Sequence, residues 1–169
     1  MAEDEALIPA PPERSHPLDM VERVAANNDW SFERAEEDEI TILVGGRWAE
    51  YQVSYSWMPE IEALHIACAF DFKIPSHRVR EVEVLLPLIN EQMWVGHFDL
   101  WKKEGLIMYR HAHELTGGAE ISGPQCEAMM GRALNACETY FPAFQFVVWA
   151  GKSAAESLKA ALFKTEGEA

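Results

Sequence analysis

Cysteine is scarce in this sequence, and the few cysteines form no recognisable motif. Cys68, Cys126 and Cys137 are an odd number without CxxC or CxxH spacing. This count and spacing give no sign of a disulfide framework or of a structural zinc site. We therefore expect the three thiols to be reduced and to pack in the interior.

Basic side chains are also few. The chain has 14 lysines and arginines against 28 aspartates and glutamates, which gives a formal net charge of −14. A surface of this charge repels phosphate backbones and anionic lipid headgroups, so neither nucleic acid nor a membrane is expected as a partner. Solubility explains the acidity better than a basic partner does, because net charge acts mainly on solubility and association.

Long apolar runs are absent as well. No segment approaches the ~18 consecutive apolar residues of a membrane span, and the start Met1-Ala-Glu-Asp-Glu lacks the basic residues of a signal peptide. A cytoplasmic location is therefore expected. Residues 1–16 combine three prolines with acidic residues and show no periodicity, which predicts a disordered tail. Residues 17–165 are expected to form a single domain.

Motifs for catalysis are missing too. Gly45-Gly46 and Gly117-Gly118 lack the spacing of phosphate-binding loops. Ser54 and Ser56 lack the sharp, glycine-flanked turn that exposes a catalytic serine. These patterns predict neither an enzymatic activity nor a cofactor.

Aromatic residues, in contrast, are abundant. The chain contains six Trp, eight Phe and four Tyr, and 49% of its residues are hydrophobic, which indicates a folded protein. Five tryptophans are too many for a core of this size unless some reach its edge, and Trp and Tyr dominate binding and subunit interfaces. The alternative, that these rings only fill the core, stays open. The five are Trp48, Trp57, Trp94, Trp101 and Trp149.

The periodicity of the first half predicts an α+β fold, a twisted antiparallel sheet with helices packed on it. A helix from Pro17 precedes four strands, and residues 48–57 and 64–72 alternate cleanly between large apolar side chains and small or polar ones. The small side chains form a flat strip that a helix or a partner backbone could approach closely. This strip consists of Ser54, Ser56, Ala67 and Ala69.

The middle of the chain is predicted to form a central helix and a hairpin. Ser76 is expected to cap the helix, and Pro87 is expected to kink it. The hairpin is expected to pair residues 94–101 with residues 106–112 around the loop 103–105, where Gly105 suits a left-handed position.

The last third is predicted to be helical. Ser122 begins a capping box, and Pro142 is expected to interrupt the helix that follows. For residues 144–149 a helix is preferred, although their composition also fits a strand. Ser153 begins a second capping box for a final helix.

One constellation offers metal ligands: His97, Asp99, His111 and His113 in the predicted hairpin. If the loop spans residues 103–105, position 97 lies opposite 111 and 99 opposite 109, so the four side chains share a face and could bind zinc. A register change of one residue would separate them. A metal-dependent enzyme is therefore the alternative, and a solvated or partner-facing polar surface is the favoured interpretation.

Two long motifs resemble a known family. Residues 89–101 (INEQMWVGHFDLW) and 141–151 (FPAFQFVVWAG), with weaker support from Trp30-Ser-Phe-Glu, resemble the bacterial YbjN family. The resemblance covers about residues 17–165. It implies a regulator of sensory transduction with a fold similar to that of type III secretion chaperones, often dimeric, and supplies no catalytic residues. The four strands predicted before the central helix exceed the three of those chaperones, so their client-binding surface is not carried over.

The patterns predict a non-enzymatic protein-binding module, and the resemblance implies that it is chaperone-like or regulatory and forms a homodimer. Its expected partner is another protein, bound without a cofactor or a metal ion. The candidate contact residues are Trp94, His97, Asp99, Trp101, Tyr109 and His111.

Overall fold

The computed structural model describes residues 14–166 as a six-stranded antiparallel sheet with four helices on one of its faces. The helices are α1 (Pro17–Asn27), α2 (Val79–Asn90), α3 (Gly123–Val148) and α4 (Ala154–Glu166). The strands are β1 (Ser31–Glu36), β2 (Glu39–Gly45), β3 (Glu50–Met58), β4 (Ala63–Ala69), β5 (His97–Trp101) and β6 (Leu106–Glu114). Their order across the sheet is β1-β2-β3-β4-β6-β5. The α+β prediction is confirmed.

Alternation along the central strands determines which face the helices cover. In β3, Tyr51, Val53 and Tyr55 are buried, while in β4 Leu64 and Ile66 are completely enclosed. These large side chains point towards α1 and α3, which pack on this face. The intervening residues of β3 and β4 are small or polar, and no helix formed by residues 14–166 covers the opposite face.

The start of the central helix differs from the prediction. Ser76 lies in a short 3-10 turn (Ser76–Arg78) and its side chain makes no capping bond, so α2 begins only at Val79. The turn is held by Arg78, which donates from Nε to the carbonyl oxygen of Val147 across 2.7 Å and from Nη2 to that of Lys152 across 3.0 Å. These long-range bonds tie the turn to the end of α3 and to the loop after it, and α2 begins without a side-chain cap.

The expectation that Pro142 interrupts a helix is wrong. Helix α3 continues through Pro142 to Val148, and the helix preferred for residues 144–149 is confirmed up to that point. A proline inside a helix leaves the carbonyl four residues earlier without its usual donor, here that of Glu138. The indole Nε1–H of Trp48 donates to this oxygen across 3.1 Å, and the helix therefore continues without an orphaned carbonyl.

The junction between α2 and β5 depends on Asn90. Its side-chain amide accepts from the backbone N–H of Phe98 across 2.8 Å and donates to the carbonyl oxygen of Phe98 across 3.0 Å. The amide thus satisfies the outer edge of β5 as a neighbouring strand would. The strand begins at His97, three residues later than predicted, because Gly96 adopts a φ of +74° and turns the chain into the sheet.

Residues 14–16, at the end of the predicted tail, contact the folded chain. The guanidinium of Arg14 donates to Glu62 Oε1 across 3.2 Å and to the carbonyl oxygens of Leu115 and Ala119. The imidazole Nδ1 of His16 accepts from the N–H of Leu18 and caps α1. The rest of the predicted tail lies outside the described residues.

Candidate functional site

The open face of the sheet contains a groove of about 780 Å³. We call it the open groove. Its floor is formed by small residues of β3 and β4, including the four of the predicted strip. The lining residues are Leu43, Ala49, Glu50, Gln52, Ser54, Ser56, His65, Ala67, Ala69, Phe70, Asp71, Trp101, Met108 and Arg110.

Larger side chains border this floor on both sides. Leu43 on β2 is 43% exposed and Trp101 on β5 is 44% exposed, and the floor strands lie between them. Met108 projects from β6 between the floor and Trp101, since it pairs with Ala69 on one side and with Asp99 on the other. The groove thus has a floor of small side chains, and Trp101, Met108 and Leu43 offer larger apolar surfaces around it.

Arg110 is the central charged group of the open groove. Its Nη1 lies 3.2 Å from Oδ2 of Asp99, and its Nε donates to Nε2 of His65 across 3.3 Å. The three residues come from neighbouring strands and share the open face, because Arg110 pairs with Ala67 in β4 and with His97 in β5. A guanidinium held from two sides can bind a carboxylate or a backbone carbonyl in a defined orientation.

The imidazole of His65 is kept neutral by its surroundings. Burial lowers the pKa of His65 below its ordinary value, and the nearby guanidinium of Arg110 lowers the pKa further. Because Nε2 accepts from Arg110, the ring proton of the neutral form sits on Nδ1. His65 thereby orients Arg110, and protonation of the ring would remove this hydrogen bond.

Four of the six predicted contact residues are accessible. Trp94 is fully exposed in the loop before β5, and His97, Asp99 and Trp101 follow one another on the open face of β5. Only Asp99 and Trp101 lie within or directly beside the open groove. Of the five tryptophans singled out in the sequence, Trp94, Trp101 and Trp149 are exposed.

Two of the predicted contact residues are not on this surface. Tyr109 is 1% exposed, and its hydroxyl donates to the carbonyl oxygen of Val95 inside the fold. His111 has the same orientation as Tyr109, since alternate residues of a strand share a face, and it pairs with Ile66 on the helical side. The assignment of Tyr109 is corrected because it is buried, and His111 lies off the open face because the hairpin has a different register from the expected one.

The hairpin register also removes the basis of the metal-binding alternative. His97 pairs with Arg110 and Asp99 with Met108, a shift of one residue from the expected pairing. The loop contains four residues, 102–105, rather than three. His97 and Asp99 therefore lie on the open face, whereas His111 and His113 lie on the other. Within the described residues, no group of three or more His, Cys, Asp or Glu side chains is arranged to hold a metal ion.

Sequence reasoning missed Arg110, Met108 and Leu43. All three lie on the open face by alternation, so a correct register of β6 against β4 would have identified the first two. Arg110 stands out only by its position in the sheet, between His97 and His65. That position depends on pairings between strands that are distant in the sequence, so no local pattern indicates it. The four small floor residues were predicted correctly.

The cysteines are core residues, as expected. All three are free and buried. Burial raises the pKa of the Cys126 thiol to about 11, and contact with Cys68 together with burial raises the pKa of Cys137. A thiol with a raised pKa is a poor nucleophile, which agrees with a packing role. Among residues 14–166, no helix has the length and apolar character of a membrane span.

Comparison with known proteins gives a family match and a structural match. The family model YbjN, described as "Putative bacterial sensory transduction regulator", matches residues 17–146. The crystal structure of YbjN from E. coli, described as "a putative transcription regulator", superimposes with a TM-score of 0.55 at 8% sequence identity and covers 90% of this chain and 97% of that one. At this identity the likeness supports the fold alone. A search of curated proteins found no match.

Proposed function

The chain belongs to the YbjN family, and we propose that it is a regulatory protein that binds a polypeptide segment of a partner in the open groove and catalyses no reaction. The family description supports a regulatory role. The single observation that carries the binding site is the open groove itself, on a sheet face that no helix of the described residues covers.

The composition of the groove suits a polypeptide. Its floor of serine and alanine side chains lets a partner backbone approach closely, and the hydroxyls of Ser54 and Ser56 can exchange hydrogen bonds with it. Trp101 and Arg110 belong to the residue types that contribute most to protein interfaces. Asp99 and His65 hold Arg110 ready for a carbonyl or carboxylate of the partner.

The other parts of the predicted function are also proposals. We propose a homodimer in the cytoplasm, with a chaperone-like mode of action. Three large apolar side chains away from the groove, Trp94, Trp149 and Phe163, are exposed and are available for such a contact. Light scattering of the purified protein over a wide concentration range tests the dimer, and a constant monomer mass would exclude it.

The groove is tested by filling it. Ala67 lies at its centre, and Ala67→Trp places an indole over the floor without entering the core. Ala128 is exposed on α3, and Ala128→Trp provides the matched control. Partners captured from the native cell by the unsubstituted chain are identified and purified, and their affinities are measured by calorimetry for all three chains.

The expected result is that Ala128→Trp binds the purified partner like the unsubstituted chain and that Ala67→Trp loses the binding. Circular dichroism and thermal unfolding establish that both variants are folded. A partner that binds the Ala67→Trp chain with unchanged affinity would show that the open groove is not its site.

A further inference from the structure

A second, smaller recess lies beside the open groove, where strand β6 extends beyond the start of β5. His97, the first residue of β5, pairs with Arg110, but β6 continues along β4 as far as Glu114. The recess has a volume of about 290 Å³, and we call it the histidine notch. Its lining residues are His65, Gly96, His97, Arg110, His111 and Ala112.

The notch is bordered by a strand edge without a neighbouring strand. In antiparallel pairs the backbone groups of alternate residues point to opposite sides. Phe70 donates to the carbonyl oxygen of Ile107, so odd-numbered residues of β6 point towards β4 and even-numbered ones towards β5. Among the described residues no strand lies beside β6 after Arg110. The backbone N–H and C=O groups of Ala112 and Glu114 therefore point towards the notch, where they can form hydrogen bonds with an added polypeptide segment.

Arg110 is the cation that lines the notch, and burial lowers the pKa values of His65 and His111, so these two imidazoles offer hydrogen bonds rather than charge. The cation stands out in a chain with a formal net charge of −14. Asp99 is the nearest carboxylate and already contacts Arg110, and Glu114 lies at the far end of the strand edge. The groups concerned are His65 from β4, His97 and Asp99 from β5, Arg110, His111, His113 and Glu114 from β6, and Arg132 from α3. An acidic segment is the complementary occupant.

An acidic segment of the same chain begins close to this place. Arg14 is anchored to the carbonyl oxygen of Leu115, the residue that directly follows β6. The residues before Arg14 include the acidic run Glu3-Asp4-Glu5 and the proline-rich run Pro9-Ala-Pro-Pro12, and they contain no basic side chain. The acidic run is thus tethered at the end of the strand whose edge borders the notch.

The tether is long enough. Leu115 follows Arg110 by five positions, which correspond to ~17 Å along a strand. Glu5 precedes Arg14 by nine positions, and nine residues at ~3.1 Å each can reach at most ~28 Å in that extended form. The acidic run therefore reaches the notch with length to spare.

We propose that Glu3-Asp4-Glu5 docks in the histidine notch of the same chain, with its carboxylates beside Arg110 and the surrounding imidazoles. The contact does not require the proposed partner. Since His65 and Arg110 line both the notch and the open groove, a docked acidic run also covers one end of the groove. The segment then competes with any partner that uses Arg110.

The test uses a spin label on the full chain. All three native cysteines are buried, so an introduced cysteine in Ala2→Cys is the accessible thiol for a nitroxide reagent. In ¹⁵N-labelled protein, the amide signals of His97, Ala112 and Glu114 are expected to lose intensity through the nearby nitroxide and to regain it when the nitroxide is reduced. Signals of Glu33, on the far strand β1, are expected to stay unchanged.

Charge variants show whether the contact is the proposed one. Neutralising the run with E3Q, D4N and E5Q together changes no residue of the described fold and should restore the signals at the notch. Arg110→Gln should restore them as well, whereas Arg23→Gln, at an exposed arginine of α1, should not. Undiminished signals at the notch in the labelled chain, or signals that stay weak after neutralisation of the run, would overturn the proposal.

A mixing experiment establishes which chain supplies the segment. Spin-labelled chain without ¹⁵N is mixed with ¹⁵N-labelled chain without the nitroxide. Full intensity at His97 and Ala112 in the mixture is expected for docking within one chain. Loss of intensity there would overturn the proposal, because the acidic run would then dock on a second copy.

Discussion

The Nε–H of Arg110 donates to Nε2 of His65 across 3.3 Å, on the open face of the sheet. This hydrogen bond joins β6 to β4 through side chains and fixes the guanidinium at the floor of the open groove. This hydrogen bond exists only while Nε2 of the imidazole carries no proton. The same pair therefore determines both the geometry of the groove and its response to pH.

The first prediction concerns that pH response. Burial and the guanidinium of Arg110 lower the pKa of folded His65, so near the ordinary value of 6.5 the unfolded chain binds a proton that the folded chain does not. The free energy of unfolding must then fall as the pH falls through about 6.5. Urea unfolding at a series of pH values checks this for the unsubstituted chain and for His65→Gln, whose pH dependence should be weaker.

His77 provides the control for this series. It is an exposed histidine in the 3-10 turn before α2, away from the open groove. His77→Gln should keep the pH dependence of the unsubstituted chain. The account of His65 is wrong if His65→Gln and His77→Gln have the same pH dependence.

The second prediction concerns the tryptophan that supports α3. Trp48→Phe removes the indole donor and leaves the carbonyl of Glu138 without a partner at the position of Pro142. Leaving such a group unsatisfied costs about 1–3 kcal/mol in the free energy of unfolding. Pro142→Ala returns a backbone N–H that can bond this carbonyl, so the Trp48→Phe substitution should cost less in the Pro142→Ala background. Denaturant unfolding of the four chains measures this coupling, and additive effects would contradict it.

The third prediction concerns Gly96. A Cβ at this position would lie 2.2 Å from the hydroxyl oxygen of Tyr109, and the φ of +74° is unfavourable for other residues. Gly117 has a φ of +73° with nothing within 4 Å of its Cβ position. Gly117→Ala therefore measures only the cost in stability of placing alanine at a positive φ. Gly117→Ala should lower the free energy of unfolding by about 1 kcal/mol, and Gly96→Ala should lower it by clearly more. Equal losses in the free energy of unfolding would contradict this, because they would mean that Tyr109 moves away from the new methyl group at no cost in stability.

The fourth prediction concerns the thiols. Because Cys68, Cys126 and Cys137 are buried, the folded protein should not react with Ellman's reagent at neutral pH, and denaturant should release all three thiols per chain. Burial raises the pKa of Cys126 to about 11, which slows its reaction further. Rapid reaction of one thiol in the folded protein would contradict the packing of that cysteine.

Much of the fold was predictable from local patterns. The clean alternation in residues 48–57 gave the two faces of β3, and with them the floor residues Ser54 and Ser56. The capping box at Ser122 correctly placed the start of α3. These features depend on residues adjacent in the sequence, which determine local conformation directly.

The remaining features depend on contacts between distant residues. The loop between β5 and β6 has one more residue than expected, and this shift moved Tyr109 and His111 off the proposed contact surface. The passage of α3 through Pro142 depends on Trp48, which lies 90 residues before Glu138. Ser76 lies in a 3-10 turn before α2, and Arg78 ties this turn to the end of α3. No local pattern contains this information.

The most direct measurement of groove binding is the methyl resonance of Met108 in protein labelled at its methionine methyl groups. Met108 lines the open groove, and Met130 on the buried side of α3 serves as the internal reference. When a purified partner is titrated in, the Met108 signal should shift in proportion to the bound fraction while that of Met130 stays in place. Saturating binding that leaves the Met108 signal unmoved would contradict the open groove as the binding site.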